Sequence, residues 1–271
     1  MLQRLAQGEP LLSLGIRNAR TAEIVRIAKT AGFGLVWIDL EHSSISIDCA
    51  VQIVASAADL GLEAWVRIPE RDYGVIGRLL DGGATGIIVP RVETAEEAQK
   101  VVNAARFPPR GERSQIALLP QAKYQRMSAA QLMRCADLAT TVHILIESAA
   151  GVRNAEAIAA VDGVDILHVG MNDLSVDLGH VDQLRHADML EACKRVIAAA
   201  QRRGKLAVVG GSSDPALFLE LLHAGAVPVV FAAIDTDVLA AGLTQRTKDW
   251  GQHIQEWRSR TQADVHNEAS R

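Results

Sequence analysis

A single-domain (β/α)8 barrel is the fold this sequence predicts, and three observations predict it. Eight short apolar runs recur along the 271 residues. Each is too continuously apolar for a strand with one wet face, and reads instead as a parallel strand covered on both sides. Longer amphipathic stretches separate the runs, so strand and helix alternate eight times in about 250 residues. The competing fold, a doubly wound open sheet, carries a glycine-rich phosphate loop after a strand. Neither GxGxxG nor GxxxxGK[ST] follows any of the eight.

The elements follow in order. LLSLGI (11–16) is the first strand. TAEIVRIAKTAG is the helix after it, with Thr21 as N-cap and Gly32 as stop. FGLVWIDL (33–40), EAWVRI (63–68) and TGIIVP (85–90) are the next three strands. TAEEAQKVVNAA is a helix whose Thr94 and Glu97 match a capping box. Residues 107–125 then break the rhythm as a long loop rich in Pro, Gly and Arg, ahead of a helix near 128–138. Loops of that length in a compact barrel are functional or meet a neighbour. TVHILIES (141–148), VDILHVG (164–170), LAVVGG (206–211) and VPVVFAAI (227–234) complete the eight strands. Residues 235–258 read as a closing helix and end the barrel domain, 1–258; the polar residues 259–271 read as a frayed tail.

Composition excludes several classes of function. Charged residues are 22% of the chain and the net charge is −4, so no basic field is available for nucleic acid and no polybasic run for a membrane surface. No uncharged apolar run approaches the ~18 residues of a membrane span. The start, MLQRLAQGEP, lacks the apolar core of a signal peptide, which predicts a cytoplasmic protein. Cys49, Cys135 and Cys193 are far apart, odd in number and never in CxxC spacing, and read as reduced thiols packed in the fold.

A barrel places its chemistry at the C-terminal ends of its strands. The second strand delivers Asp39, Glu41 and His42 there, the third Arg67, the fifth Glu147 and the sixth Gly170, Asn172 and Asp173. Glu147 and Asp173 form the best pair of hard oxygen ligands for Mg2+ or Mn2+; the bland alternative for Glu147 is a helix cap or rim ion pair. No HxH or HExxH zinc pattern occurs. Arg67 ends an apolar run, where its charge needs an anion: a substrate carboxylate, a developing oxyanion, or a neighbouring acid. His42 is either a proton carrier or a histidine bonded to its own turn.

The motifs WIDLEHS, RIP (67–69), LLDGGATGIIVPRVETAEEA (79–98), RFPPRGERS (106–114), IES (146–148) and GMNDLSVDLG (170–179) together resemble the HpcH/HpaI aldolase family, in order and at matching spacing from about residue 10 to 240. The resemblance implies a metal-dependent (class II) aldolase that cleaves 4-hydroxy-2-oxo acids to pyruvate and an aldehyde, with no Schiff-base lysine. It implies that Glu147 and Asp173 hold a divalent ion (Mg2+ or Mn2+, with Co2+ as a further candidate) on which pyruvate and its enolate are held. Arg67 then steadies the developing charge, and the backbone N–H groups of Asn172 and Asp173 receive the carboxylate. His42 is then the general base, Asp81 its hydrogen-bonded support, and Asp39 and Glu41 flank the metal and His42. The family further implies a hexamer built as a trimer of dimers with C-terminal helices packed across subunits. Trp250 and Trp257, seven residues apart, suit such a contact or a plain cover for the barrel.

Several positions depart from the family pattern. Met171 stands where Pro is usual, Leu145 where a substrate-binding Gln is usual, Ala233 and Ser114 where Gly is usual. These bear on which oxo acid is preferred. Arg17, Gln121 and Ser212 are further candidates for shaping the pocket. Two rival readings are a carbon–carbon lyase or synthase using an acyl or CoA donor, in the manner of citrate synthase or citrate lyase, and a barrel without catalysis.

Overall fold

A computed structural model describes residues 1–269, with side chains through residue 260. The strands are β1 (Leu11–Ile16), β2 (Leu35–Asp39), β3 (Glu63–Arg67), β4 (Gly86–Val89), β5 (Thr141–Ile146), β6 (Ile166–Gly170), β7 (Leu206–Gly210) and β8 (Val229–Ile234). The helices are α1 (Leu2–Ala6), α2 (Glu23–Thr30), α3 (Ile47–Asp59), α4 (Ile76–Asp81), α5 (Ala95–Ala105), α6 (Ala129–Leu138), α7 (Ala149–Ala159), α8 (Met171–Asp177), α9 (Ala187–Arg202), α10 (Pro215–His223) and α11 (Asp235–Ala269). The strands run in parallel in the order β7-β6-β5-β4-β3-β2-β1-β8. Between β7 and β8 the wall is nearly closed, where the Val227 N–H donates to the Ala207 carbonyl at 2.8 Å. The eight-strand expectation from the sequence is met.

Two apolar bodies hold this wall. Outside it, residues such as Ile38, Val66, Ile87, Ile144 and Val169 pack against the helices. Inside it, Leu35, Trp37, Trp65, Ile88, Leu145, Ile166, Val208 and Val229 fill the barrel. The alternation of β-structure sends successive side chains to these two bodies, which is why every strand reads as apolar throughout. Two large indoles need local space. A β-carbon on Gly86 would lie 2.5 Å from Trp65 Cδ1, and one on Gly15 would lie 2.8 Å from Trp37 Cε2. Gly86→Ala is therefore expected to destabilise the barrel by about 1–3 kcal/mol through overpacking; urea denaturation of the variant against wild type measures it.

Three boundaries differ from the sequence reading. α2 starts after Ala22, so Thr21 does not cap it, although Gly32 ends the turn with φ +92° as anticipated. The 107–125 loop carries a 3-10 turn at Pro120–Ala122 and packs Phe107 and Leu119 against Leu132 of α6, whose Ser128 and Gln131 form a capping box. α11 runs on to Ala269, past residue 258; residues 270 and 271 of the expected tail lie outside the described residues. Polarity alone does not stop a helix, and no Gly or Pro follows Gly251. α11 leaves the barrel instead of covering it: Leu239, Leu243, Trp250, Ile254 and Trp257 are exposed along it. Burial pushes the Cys193 thiol up to about 12, in keeping with its reading as a packing residue.

Candidate active site

The rim at the C-terminal ends of the strands is organised around Asp39. Its side chain is fully buried. Its Oδ1 accepts from Arg67 Nε at 3.0 Å, its Oδ2 from Arg67 Nη2 at 2.6 Å and from Arg17 Nε at 2.7 Å. The Glu41 and His42 N–H groups also donate to Oδ1, at 3.1 and 3.2 Å. Burial alone would raise the Asp39 carboxyl, but the Arg67 and Arg17 guanidiniums outweigh it and hold it below the usual carboxylate range. The chain after β2 turns sharply because one carboxylate gathers two backbone donors there.

Arg67 is thereby fixed as a planar fork. Its Nη1 also meets Glu41 Oε2 at 2.9 Å. Burial works against its charge, and Asp39, Glu41 and Glu147 restore it, so its pKa rises further. Of a guanidinium's five N–H donors, three are used by these acids, which leaves two for a ligand in the pocket that Arg67 lines. Glu41 is partly buried, and its carboxyl is pushed up first by burial. His42 is 55% exposed at its side chain; its Nε2 lies 3.8 Å from Glu41 Oε2, beyond hydrogen-bond reach.

Glu147 and Asp173 face the same pocket. Glu147 is 6% exposed and accepts the Arg91 N–H at Oε1, 3.0 Å. Burial, then the charges of Asp173 and Glu41, push its carboxyl up to about 7. Asp173 is in the first turn of α8 and 44% exposed, with Arg91 Nη2 3.6 Å from its Oδ1. Gly170, the residue before α8, stands against Glu147: a β-carbon there would lie 2.9 Å from Oε2. Gly211, with φ +98°, leaves room at the Asn172 N–H, 3.2 Å from where its β-carbon would be. The pocket has a volume of about 340 Å³, and Trp37, Leu145, His168 and Phe231 lie beneath these rim groups.

The donor set suits a divalent cation. Two carboxylates share one cleft, and burial together with the charges of Asp173 and Glu41 pushes one of them, Glu147, up to about 7. Hard oxygen donors with open space beside them match Mg2+ or Mn2+ and fit no thiolate or imidazole site.

The structure brings Asp39, Glu41, His42, Arg67, Glu147, Gly170, Asn172 and Asp173 to one rim. It does not bring Asp81 there. Asp81 is the last residue of α4, and a helix that returns antiparallel to the strands carries its C-terminus away from the rim. Asp81 accepts from Arg113 Nη2 at 2.7 Å instead of bonding His42. Arg113 is buried, lies over Phe107 at 4.6 Å, and has Nε and Nη1 without partners. Sequence reasoning left Arg17 unranked and missed Arg91. Arg17 is visible only through its contact with Asp39. Arg91 acts through its backbone at φ +53°, a conformation nothing in VPRVE announces.

The profile of the family described as HpcH/HpaI aldolase/citrate lyase matches residues 17–253. A 4-hydroxy-4-methyl-2-oxoglutarate aldolase from Hapsidospora irregularis is 35% identical over 245 residues, 89% of this chain and 91% of the relative. A hydroxypyruvate/pyruvate aldolase from Paraburkholderia phytofirmans is 36% identical over 207 residues, 74% of this chain and 78% of that one. The crystal structure of an HpcH/HpaI aldolase from Desulfitobacterium hafniense superposes with a TM-score of 0.83 at 28% identity, covering 91% of this chain and 95% of that one.

Proposed function

We propose that this chain, which belongs to the HpcH/HpaI aldolase/citrate lyase family, cleaves 4-hydroxy-2-oxo acids to pyruvate and an aldehyde, and joins them in the reverse direction. The enzyme is a carbon–carbon lyase of the aldolase type, in line with its relatives' names. The observation that carries the reading is the meeting of Arg67, Glu147 and Asp173 in one cleft, with the Glu147 carboxyl near neutrality.

A divalent ion, Mg2+ or Mn2+, would be held by Glu147 and Asp173 and supplies Lewis-acid polarisation of the oxo group when bound. Arg67 turns its two remaining N–H groups toward the charge that grows on the oxo oxygen as the carbon–carbon bond breaks. Asp39 and Glu41 keep that fork from swinging. The Asn172 and Asp173 N–H groups receive the carboxylate, with Gly211 leaving room at the Asn172 N–H. His42 takes the proton of the 4-hydroxyl as the bond between carbons 3 and 4 breaks, carbon 3 then takes a proton from water to give pyruvate, and both transfers run backwards during addition.

The test is pyruvate release by EDTA-treated protein from a panel of 4-hydroxy-2-oxo acids, with and without Mg2+ or Mn2+. Pyruvate restored by metal, abolished in Glu147→Ala and sharply reduced in His42→Ala, supports the reading. Turnover of CoA thioesters and not of free aldehydes would move it to an acyl-donor lyase.

The proposal includes a cytoplasmic homo-hexamer, a trimer of dimers, in which the exposed apolar stripe of α11 meets a second copy. No described helix is long and apolar enough to cross a membrane. In such an assembly Asp81 supports His42 between copies. Subunits carrying His42→Ala and subunits carrying Asp81→Asn, each impaired alone, are expected to regain activity when co-assembled. A monomer by light scattering defeats the assembly, and failure of co-assembled subunits to recover defeats the role of Asp81.

A further inference from the structure

The pocket floor holds a buried polar side chain that the chemistry above does not use. β6 alternates inward and outward, so His168 lies two residues below Gly170 and one layer below the rim. Trp37, Ile88 and Phe231, from β2, β4 and β8, line the pocket with it. His168 is 6% exposed, and its ring stacks on Phe231 at 5.1 Å between centroids, 22° between planes. Its Nδ1 has no hydrogen-bond partner. Its Nε2 looks toward Gly210, 3.0 Å from where a β-carbon would sit. Its register neighbour on β5 is Leu145, which offers no hydrogen bond. Trp37 Nε1 also lacks a partner, but it is turned toward Gly15.

An unpartnered imidazole in an apolar layer costs stability, because the hydration it gives up on folding is not replaced by a protein hydrogen bond. A Phe at this place would stack on Phe231 without that cost. Burial, reinforced by the Arg67 charge, holds the ring down at about 3. It is therefore neutral at working pH, with one nitrogen donating and the other accepting.

We infer that His168 is a specificity-determining residue that hydrogen-bonds a polar substituent on carbon 3 of the oxo-acid donor, so that the site favours a hydroxylated three-carbon donor over an alkylated one. This rests on the aldolase reading. In that reading the carboxylate and oxo group are taken by the rim groups, and the aldehyde half leaves through the mouth beside Arg17 and Asp237. The carbon 3 substituent is the remaining part, and the wall of the pocket it would meet below the rim is lined by His168 with Gly170 and Gly210.

Hydroxypyruvate and 2-oxobutanoate present a hydroxyl and a methyl of nearly equal size at that carbon. Wild-type enzyme, loaded with Mn2+ and given one aldehyde acceptor, is expected to favour hydroxypyruvate in kcat/KM. In His168→Phe the ratio of the two donors falls about tenfold, the scale of one neutral hydrogen bond. His168→Gln, which keeps a donor and an acceptor, recovers part of it. The ratio of the two dissociation constants by calorimetry moves in the same direction and needs no turnover. His168→Phe also raises the melting temperature of the ligand-free protein, whereas a purely structural histidine would lower it. Unchanged donor ratios in both kinetics and binding overturn the assignment. Solvent-deuterium exchange at carbon 3 of pyruvate by the wild type separates the two levels: its absence defeats the aldolase reading, while exchange with unchanged ratios defeats only the role of His168.

Discussion

Glu147→Gln is expected to lower aldolase activity by about 1000-fold or more, the scale on which groups that stabilise transition-state charge act, and yet to make the metal-free protein more stable at pH 8. Both effects come from the same feature. The wild-type carboxyl is pushed up to about 7 by burial and by the charges of Asp173 and Glu41. In the unfolded chain it titrates near its ordinary value of about 4.3. The folded state thus binds this proton more tightly than the unfolded state does. The resulting stabilisation is full below the unfolded pKa, falls as pH rises, and is gone above about 7. The difference is on the order of 4 kcal/mol, at about 1.36 kcal/mol for each pKa unit.

The amide introduced by Glu147→Gln has no charge to desolvate, so the variant avoids that loss. Melting temperatures in EDTA at pH 5 and pH 8 are the measurement. Wild type drops between the two pH values by more than Glu147→Gln does. Adding Mn2+ at pH 8 raises wild type and leaves the variant where it was. Equal pH dependence in the two proteins would show that Glu147 is not strained by its neighbours, and would remove the physical reason for placing a cation there.

The fold was legible because it follows from periodicity. All eight strands are apolar on both sides, and that pattern survives any change of detail at their ends. The rim was legible for a related reason: residues at strand ends such as Arg67, Glu147 and Asp173 are assigned to a face as soon as the strands are counted. What the sequence hid depends on distances between elements. Asp81 falls within a matching motif, but α4 turns its end from the rim, and the motif carries no information on that direction. Arg91 reaches Glu147 through a backbone N–H in a left-handed conformation, so the identity of its side chain is no guide. The space for Trp37 and Trp65 is made by Gly15 and Gly86, each on a neighbouring strand, and pairing register is needed to see it. His168 differs from His143, the histidine of β5, in lining the pocket, and an apolar run with one histidine in it does not say which of the two does so.

Asp39→Ala is expected to remove most activity and to cost about 3–5 kcal/mol, as breaking a buried ion pair from one side does. The Asp39 carboxylate receives five hydrogen bonds from the fold. Arg67 would lose both arms of its bidentate contact while remaining nearly buried, and Glu41 alone, with one contact at 2.9 Å, does not replace a planar acceptor. Arg17 would lose its partner as well, and the turn that presents His42 would lose two backbone anchors. The pH dependence has the opposite sign to that of Glu147. The Asp39 carboxyl is held below its ordinary value, so the folded state favours the charged form. That contribution is complete above the unfolded pKa of about 3.9 and disappears as pH falls through the folded value. Wild type and Asp39→Ala should therefore differ most in denaturation free energy near neutral pH and converge in acid. The double variant Asp39→Ala with Arg67→Met gives the decisive comparison. It takes away the stranded cation together with its partner, so stability should return toward wild type while activity stays lost. Stability that falls further in the double variant would mean that Arg67 is held by packing and not by Asp39, and the fork would no longer be the element that sets the geometry of the rim.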